Sequence, residues 1–338
     1  MDSRQNSGFS WQRHLNKLRW VILGSVFGLL VLLPYISVYQ NFLAAHAYDF
    51  LAPNEVRIYD TLEWITQPFV GSDPVESLDA IKGTTWSGTF FGVQLSDPLA
   101  VVGQMASQLK VYWPFLLTAL IPIGLTVFFG RFYCGWICPA TFIYEIVDNI
   151  SLALRRMGFP TGGRRLNRGI KYLVLVMGAV FSFLLGNVAF SAIYPPAIIG
   201  RELYYFVAMK GIGAGTIFFA MTILFDVMVS RRGFCRYLCP GGALYGLLGA
   251  LRPVRLQRTV AQCNDCTLCD KACQFGLHPM TDQFGIDCNN CTACIAACPT
   301  DAISFHLRLS DQPAQGHGHL SPTFKREQQP NTHDQGSS

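Results

Sequence analysis

Four long apolar stretches constrain this chain more than any other feature. Residues 20–39, 111–130 and 172–194 contain no Asp, Glu, Lys or Arg, and 212–230 contains one acid, Asp226. A helix that crosses a bilayer needs about 20 mainly apolar residues, so each stretch qualifies as a span. Composition agrees: 51% of the 338 residues are hydrophobic and only 14% are charged, whereas a soluble globular chain carries about 25% charged residues. The predicted fold class is an α-helical integral membrane protein with four transmembrane helices.

The basic residues orient it, because Lys and Arg collect on the cytoplasmic side. Residues 1–19 hold Arg4, Arg13, Lys17 and Arg19, 131–171 hold seven basic residues, and 231–258 hold six arginines. By contrast, 40–110 hold only Arg57, Lys82 and Lys110, and 195–211 only Arg201 and Lys210. Both termini are therefore expected in the cytoplasm, with 1–19 a basic tail, and with 40–110 and 195–211 outside. The competing reading is a cleaved leader, since Ala45-His46-Ala47 follows the first apolar run. That run is longer than the usual leader core of about 7–15 residues.

None of the twelve cysteines falls in 40–110 or 191–211. Inward-facing thiols stay reduced and free for metals, so the cysteines support the same orientation. Eight of them form Cys263-x2-Cys266-x2-Cys269-x3-Cys273 and Cys288-x2-Cys291-x2-Cys294-x3-Cys298-Pro299. This is the spacing of a bacterial two-cluster ferredoxin, in which the fourth cysteine of each run ligates the other cluster. It assigns one [4Fe–4S] cluster to Cys263, Cys266, Cys269 and Cys298, and a second to Cys288, Cys291, Cys294 and Cys273, in a C-terminal domain over 262–308. Zinc knuckles are the alternative, and neither run contains the histidine they often use. Gln274 stands where the first run would carry Pro, which is expected to loosen the exit turn after Cys273.

The other four cysteines lie in a repeat. "GRFYCGWICPATFIY" (130–144) and "RRGFCRYLCPGGALY" (231–245) match at an offset of 101, pairing Arg131 with Arg232, Cys134 with Cys235, Cys138 with Cys239, and Tyr144 with Tyr245. The membrane domain over 20–261 thus reads as a duplicated two-helix unit, its copies related by an axis along the membrane normal. Each Cys-Pro resembles a helix start, and a helix N-terminus favours the thiolate. Cys134, Cys138, Cys235 and Cys239 could hold a further cluster or metal, work as dithiol pairs, or pack a tight turn.

Together these features resemble the NapH/MauN group of membrane ferredoxin-type proteins over residues 10–308, most closely in "FDVMVSRRGFCRYLCPGGALYGLLG" (225–249). The resemblance implies a quinol dehydrogenase role in the bacterial cytoplasmic membrane. Its partners would be the membrane quinone pool and a periplasmic iron–sulfur or other redox protein, and its cofactors two [4Fe–4S] clusters on the eight cysteines. Alternatives are electron transfer from a cytoplasmic donor into the membrane, and a maturation or metal-reductase factor for a periplasmic or copper enzyme.

Candidates for the quinone and proton chemistry are Asp226, the lone acid within a span, and His46, beside Tyr48 at the outer end of the first. Pairing with Arg231 is the structural alternative for Asp226. Glu145 and Asp148 read as a solvated helix face. No Cys-x-x-Cys-His occurs, the spans lack histidine, and no dinucleotide or phosphate-loop fingerprint is present, so haem, flavin and NAD are not expected. The net charge of +5 comes without a basic stripe, so nucleic acid is not an expected partner. Residues 40–110 read as an irregular outer cap, with "WSGTFFGVQL" (86–95) packing on the spans or meeting a partner. The tail 309–338, including His317 and His319, is polar and predicted to be disordered.

Overall fold

The computed structural model describes residues 11–44, 56–57, 60–61, 64, 88–90, 93–159, 163–164, 166–186 and 189–307. His46, Tyr48 and the tail 309–338 lie outside the described residues. Helix α1 (Trp11–Ala44) has 34 residues, and its stretch His14–Val38 is the one among the described residues long and apolar enough to cross a membrane. The basic tail expected over 1–19 is thus already helical from Trp11. Helices α3 (Trp113–Phe129), α6 (Ile170–Leu185) and α9 (Ala214–Met228) are apolar but hold 17, 16 and 15 residues. At 1.5 Å per residue they reach about 22–26 Å, short of a hydrocarbon core of about 30 Å.

The helix expected over 172–194 stops early for a local reason. Gly186 takes a left-handed φ of 60°, and Ala189 N–H donates to Ser182 Oγ at 3.0 Å. The chain folds back and lays Phe190 over Gly178, where a Cβ would come within 2.3 Å of the ring. A short α7 (Phe190–Ile193) follows within the expected span, and then α8 (Pro195–Met209) in the segment expected on the outer side.

The segment before α3 is also more ordered than expected. Strands β1 (Gly88–Phe90) and β2 (Val93–Leu95) pair antiparallel, and helix α2 (Pro98–Gln108) follows, capped by Asp97, whose Oδ1 accepts Leu99 N–H at 2.8 Å. Ser96 N–H donates to Thr118 O of α3, and Leu95 packs on the central core. This part of the apolar 86–95 segment is therefore folded onto the helices.

The duplication is larger than a pair of helices. Both α2 and α8 start with Pro after an extended residue and end at a left-handed residue, Leu109 (φ 50°) and Lys210 (φ 49°), again 101 positions apart. Each leads into an apolar helix (α3, α9) and a cysteine-bearing turn, namely α4 (Phe132–Trp136) and the π-turn Phe234–Leu238. A Pro-started helix completes each copy, α5 (Pro139–Arg156) and α10 (Pro240–Leu248). Packing is reciprocal: α1 lies on α5 and α8, while α6 lies on α10 and α2. Each copy's first helix thus covers the other copy's Pro-started short helix, so neither half closes alone.

The C-terminal unit begins earlier than the predicted boundary at 262. Strand β3 (Val254–Arg258) pairs antiparallel with β4 (Ile303–Leu307), and between them lie α11 (Leu268–Ala272) and α12 (Ala293–Ala297). Leu256, Phe275, Leu277, Phe284, Ile295 and Ile303 form its core together with Cys269, Cys288 and Cys294.

Candidate iron–sulfur site

The two cysteine runs fold alike. Asp265 and Thr267 flank Cys266 with φ of 54° and 59°, and Asn290 and Thr292 flank Cys291 with φ of 53° and 60°. Asp and Asn tolerate the left-handed region, whereas a β-branched Thr there is strained, and strain at matching positions marks a loop bent to serve its thiols. The fourth cysteines are equivalent too: Cys273 Sγ accepts Leu277 N–H at 3.4 Å and Cys298 Sγ accepts Ala302 N–H at 3.3 Å. Their backbones, at φ −69°, ψ 106° and φ −80°, ψ 116°, are close despite Gln274. The exit turn that sequence reading expects to loosen keeps its form, because the amide four residues on holds the sulfur.

Cys263, Cys266, Cys269 and Cys298 line one pocket, walled by Arg258, Met280 and Ile303. Pairing of β3 with β4 brings Cys298 there from the other run. In the second set, Cys288 and Cys294 are buried and Cys273 packs against them. Burial pushes the Cys294 thiol well up, and the nearby Cys291, Cys288 and Cys273 push it further. Among the described residues no three His, Cys, Asp or Glu side chains are grouped tightly enough to hold a single metal ion. A ring of four thiols around a pocket fits a larger polynuclear group, whose corner irons are bound by separate thiolates.

Cys134, Cys138, Cys235 and Cys239 line a second pocket at the centre of the helical part, with Arg131, Tyr133, Tyr194, Gly242 and Phe275 among its walls. Cys138 and Cys239 cap α5 and α10 in the same extended conformation. Burial pushes both thiols up to about 12, and Cys134 and Cys235 are raised as well, again chiefly by burial. The activation expected from the helix N-termini is outweighed by desolvation. These cysteines become thiolates only when a positive centre takes the place of the protons.

Phe275, two residues beyond Cys273, forms a wall of this central pocket, and the Arg131 guanidinium lies over its ring at 5.3 Å. Cys235, which lines the same pocket, also packs on the core of the C-terminal unit. Asp287, next to Cys288, is clamped by Arg131 at 2.9 Å, Arg168 at 3.1 Å and Lys171. Burial alone would raise its carboxyl, but these cations outweigh it and hold it below the usual carboxylate value. Trp136 Nε1–H donates to Asn290 O at 2.9 Å, and Asn290 Nδ2–H donates to Phe129 O at 2.8 Å. At Gly135 an added Cβ would come within 2.4 Å of Asn289 O, so the cysteine loop rests directly on the α4 backbone.

The 4Fe-4S binding domain family matches this chain twice, over residues 111–160 and 212–259. Those are the two copies of the repeat, again offset by 101, and not the 263–298 runs. The methylamine utilization ferredoxin-type protein MauN of Methylorubrum extorquens is 34% identical over 203 residues, 59% of this chain and 68% of that one. The chain belongs to the MauN/NapH family of ferredoxin-type proteins. MauN of Paracoccus denitrificans is 32% identical over 60% of this chain and 69% of its own length. The ferredoxin-type protein NapH of Escherichia coli is 33% identical over 54% and 62%. No solved structure matches. This family member is an iron–sulfur electron-transfer protein of the ferredoxin type.

Several side chains of this ferredoxin-type protein sit differently from their sequence-based reading. Glu145 and Asp148 are buried. Glu145 pairs with Arg19 and Arg232, and Asp148 with Arg232 at 2.7 Å and Arg231 at 3.5 Å. An amphipathic reading of α5 misses this because the partners come from α1 and the other copy. Asp226 does not pair with Arg231; its Oδ1 accepts Phe234 N–H at 2.8 Å and so pins the turn that carries Cys235. Three central residues had no sequence signal beyond their position: Asp287, Lys171 and Asp97. Asp97 is fully buried, accepts Tyr245 O–H at 3.1 Å, and keeps Oδ2 without a partner.

Proposed function

We propose that this protein is a multi-pass protein of the bacterial cytoplasmic membrane that oxidises quinol and passes electrons towards a periplasmic redox enzyme or its partner ferredoxin. Its C-terminal unit and both termini face the cytoplasm in this reading, and α1, α3, α6 and α9 serve as the four membrane helices of the 20–261 domain. Large apolar side chains exposed along these helices support it, among them Val21, Leu29, Leu117, Phe181, Leu184 and Leu224. Exposed apolar side chains in large number suit a surface that meets another apolar phase. The short helices tilt little and thin the bilayer locally.

Cys263, Cys266, Cys269 and Cys298 would hold one [4Fe–4S] cluster, and Cys288, Cys291, Cys294 and Cys273 the other. Once bound, such clusters supply one-electron acceptance, so a quinol is oxidised in two one-electron events with release of two protons. The observation that carries the reading is the clamp of Arg131, Arg168 and Lys171 on Asp287. It ties the second cysteine set to the helical part, the contact through which electrons from a membrane donor would pass. Asp97, buried against Tyr245 with one carboxylate oxygen unpartnered, is placed to take a proton.

Electron paramagnetic resonance of the anaerobic protein in lipid, reduced by a quinol or by dithionite, tests this. Reduced-cluster signals with quinol are expected. Signals with dithionite alone would overturn quinol as donor.

A further inference from the structure

The family match poses a stoichiometric problem that the structure resolves. Each matched segment, 111–160 and 212–259, contains only two cysteines, Cys134 with Cys138 and Cys235 with Cys239. Neither copy can supply four thiolates. In space all four line one pocket, and all four are unbridged.

We propose that Cys134, Cys138, Cys235 and Cys239 together hold one further iron–sulfur cluster, shared across the seam between the two copies. This goes beyond the proposed function, which uses only the eight C-terminal cysteines, and does not depend on quinol being the donor.

The walls of the pocket fit such a group. The two helix starts differ: at α10 a backbone N–H faces the capping sulfur of Cys239, whereas at α5 Thr141 N–H donates to the Cys138 carbonyl at 3.0 Å and leaves that sulfur uncapped. The donor at α10 is Gly242 N–H, 3.4 Å from Cys239 Sγ. Amide donors to sulfur stabilise the negative charge that thiolates and bridging sulfides carry. Arg131, 1% exposed, adds a fixed positive charge at the same wall, and its Nη2–H reaches Cys235 O at 3.4 Å. The small residues in the second copy are needed for that arrangement. A Cβ on Gly242 would come within 2.6 Å of Arg131 Nη2, and one on Gly241 within 2.5 Å of the Tyr194 ring.

Loading exchanges four S–H bonds for four S–Fe bonds and releases four protons, with iron and sulfide delivered by a cluster-assembly system. Placed there, the group would be separated from the Cys273 set by Phe275, the shared wall of the pocket.

Iron and acid-labile sulfide counts on the anaerobically purified full chain in lipid nanodiscs test the proposal. About twelve of each per chain are expected, three clusters of four. Cys138→Ser and Cys239→Ser, one from each copy, are each expected to lose about four and to keep the electron paramagnetic resonance of the two C-terminal clusters. About eight irons in the unaltered protein would overturn the proposal whatever the variants do. Twelve irons that survive both substitutions would overturn it as well, by placing the additional irons elsewhere. A variant that loses all its iron is replaced by Mössbauer spectra of the unaltered protein, where a third four-iron component is expected and its absence is decisive.

Discussion

Arg131 and Asp287 are 156 residues apart in the chain and 2.9 Å apart in space. One belongs to the first cysteine repeat and the other directly precedes Cys288, so this buried pair joins the helical part to the ferredoxin unit. Lys171 and Arg168 bond the same carboxylate, and Lys171 and Arg131 are at most 1% exposed. Removing the acid would leave two desolvated cations facing each other. For Asp287→Ala the expected cost is about 3–5 kcal/mol, the usual range for breaking a buried pair from one side. Thermal unfolding of the loaded protein reads it, with Asp287→Glu losing less; an unchanged midpoint for the alanine variant would show that the clamp contributes nothing.

Gly135 offers a steric test of the same seam. Gly135→Ala is expected to cost about 1–3 kcal/mol, as overpacking does, because its Cβ meets backbone at Asn289. Gly28→Ala in α1 meets nothing within 4 Å and is expected to be neutral or to stabilise by up to about 1 kcal/mol, since glycine weakens a helix interior. Similar losses in both variants would contradict the close docking of the cysteine loop.

Asp97 sets a pH dependence. Burial raises its carboxyl to about 6, against opposing hydrogen bonds from Leu99 N–H and the Tyr245 hydroxyl. A carboxyl whose folded pKa lies above its unfolded value binds protons more tightly when folded, so stability falls as pH rises from about 4 to about 6. Above that window the cost levels off at about 3 kcal/mol. Asp97→Asn keeps an acceptor for Tyr245 but cannot ionise, so it is expected to flatten this slope and to gain stability at neutral pH. Unfolding midpoints between pH 4 and 8 decide it; parallel curves for the two proteins would remove Asp97 as the source.

Iron removal should act locally. Cys269, Cys288 and Cys294 sit in the buried core that holds Leu256 and Ile303, so losing metal from the proposed sites would leave unpaired thiols in that core. Metal-site formation is folding free energy in such small units. After chelation under reductant, the amides of β3 and β4 are expected to lose hydrogen-exchange protection, while those of α9 keep theirs. Uniform deprotection of both would mean that the two parts unfold as one.

Much of the site was legible in the chain because its signals are local. The matched spacing of the two cysteine runs already implies one shared backbone form, and the left-handed residues around Cys266 and Cys291 have it. The 101-residue offset likewise carries Cys134 onto Cys235 and Arg131 onto Arg232 before any folding is considered. Helix lengths were less legible. Hydropathy alone does not register that Gly178 leaves room for Phe190 to fold back and end α6 at Leu185.

By itself the sequence determined the apolar helices, the ferredoxin-type cysteine runs and the duplication, all of which rest on periodicity and spacing within a few residues. Only the tertiary structure decided that the two copies interlock, that four cysteines from both line one pocket, and that Glu145, Asp148 and Asp287 are buried counter-charges. The reason is physical: whether a charged side chain is solvated or desolvated depends on which distant cation packs over it, and Arg19, Arg131, Lys171 and Arg232 come from elements far away in the chain. Spacing along a helix encodes a face, but not what covers it.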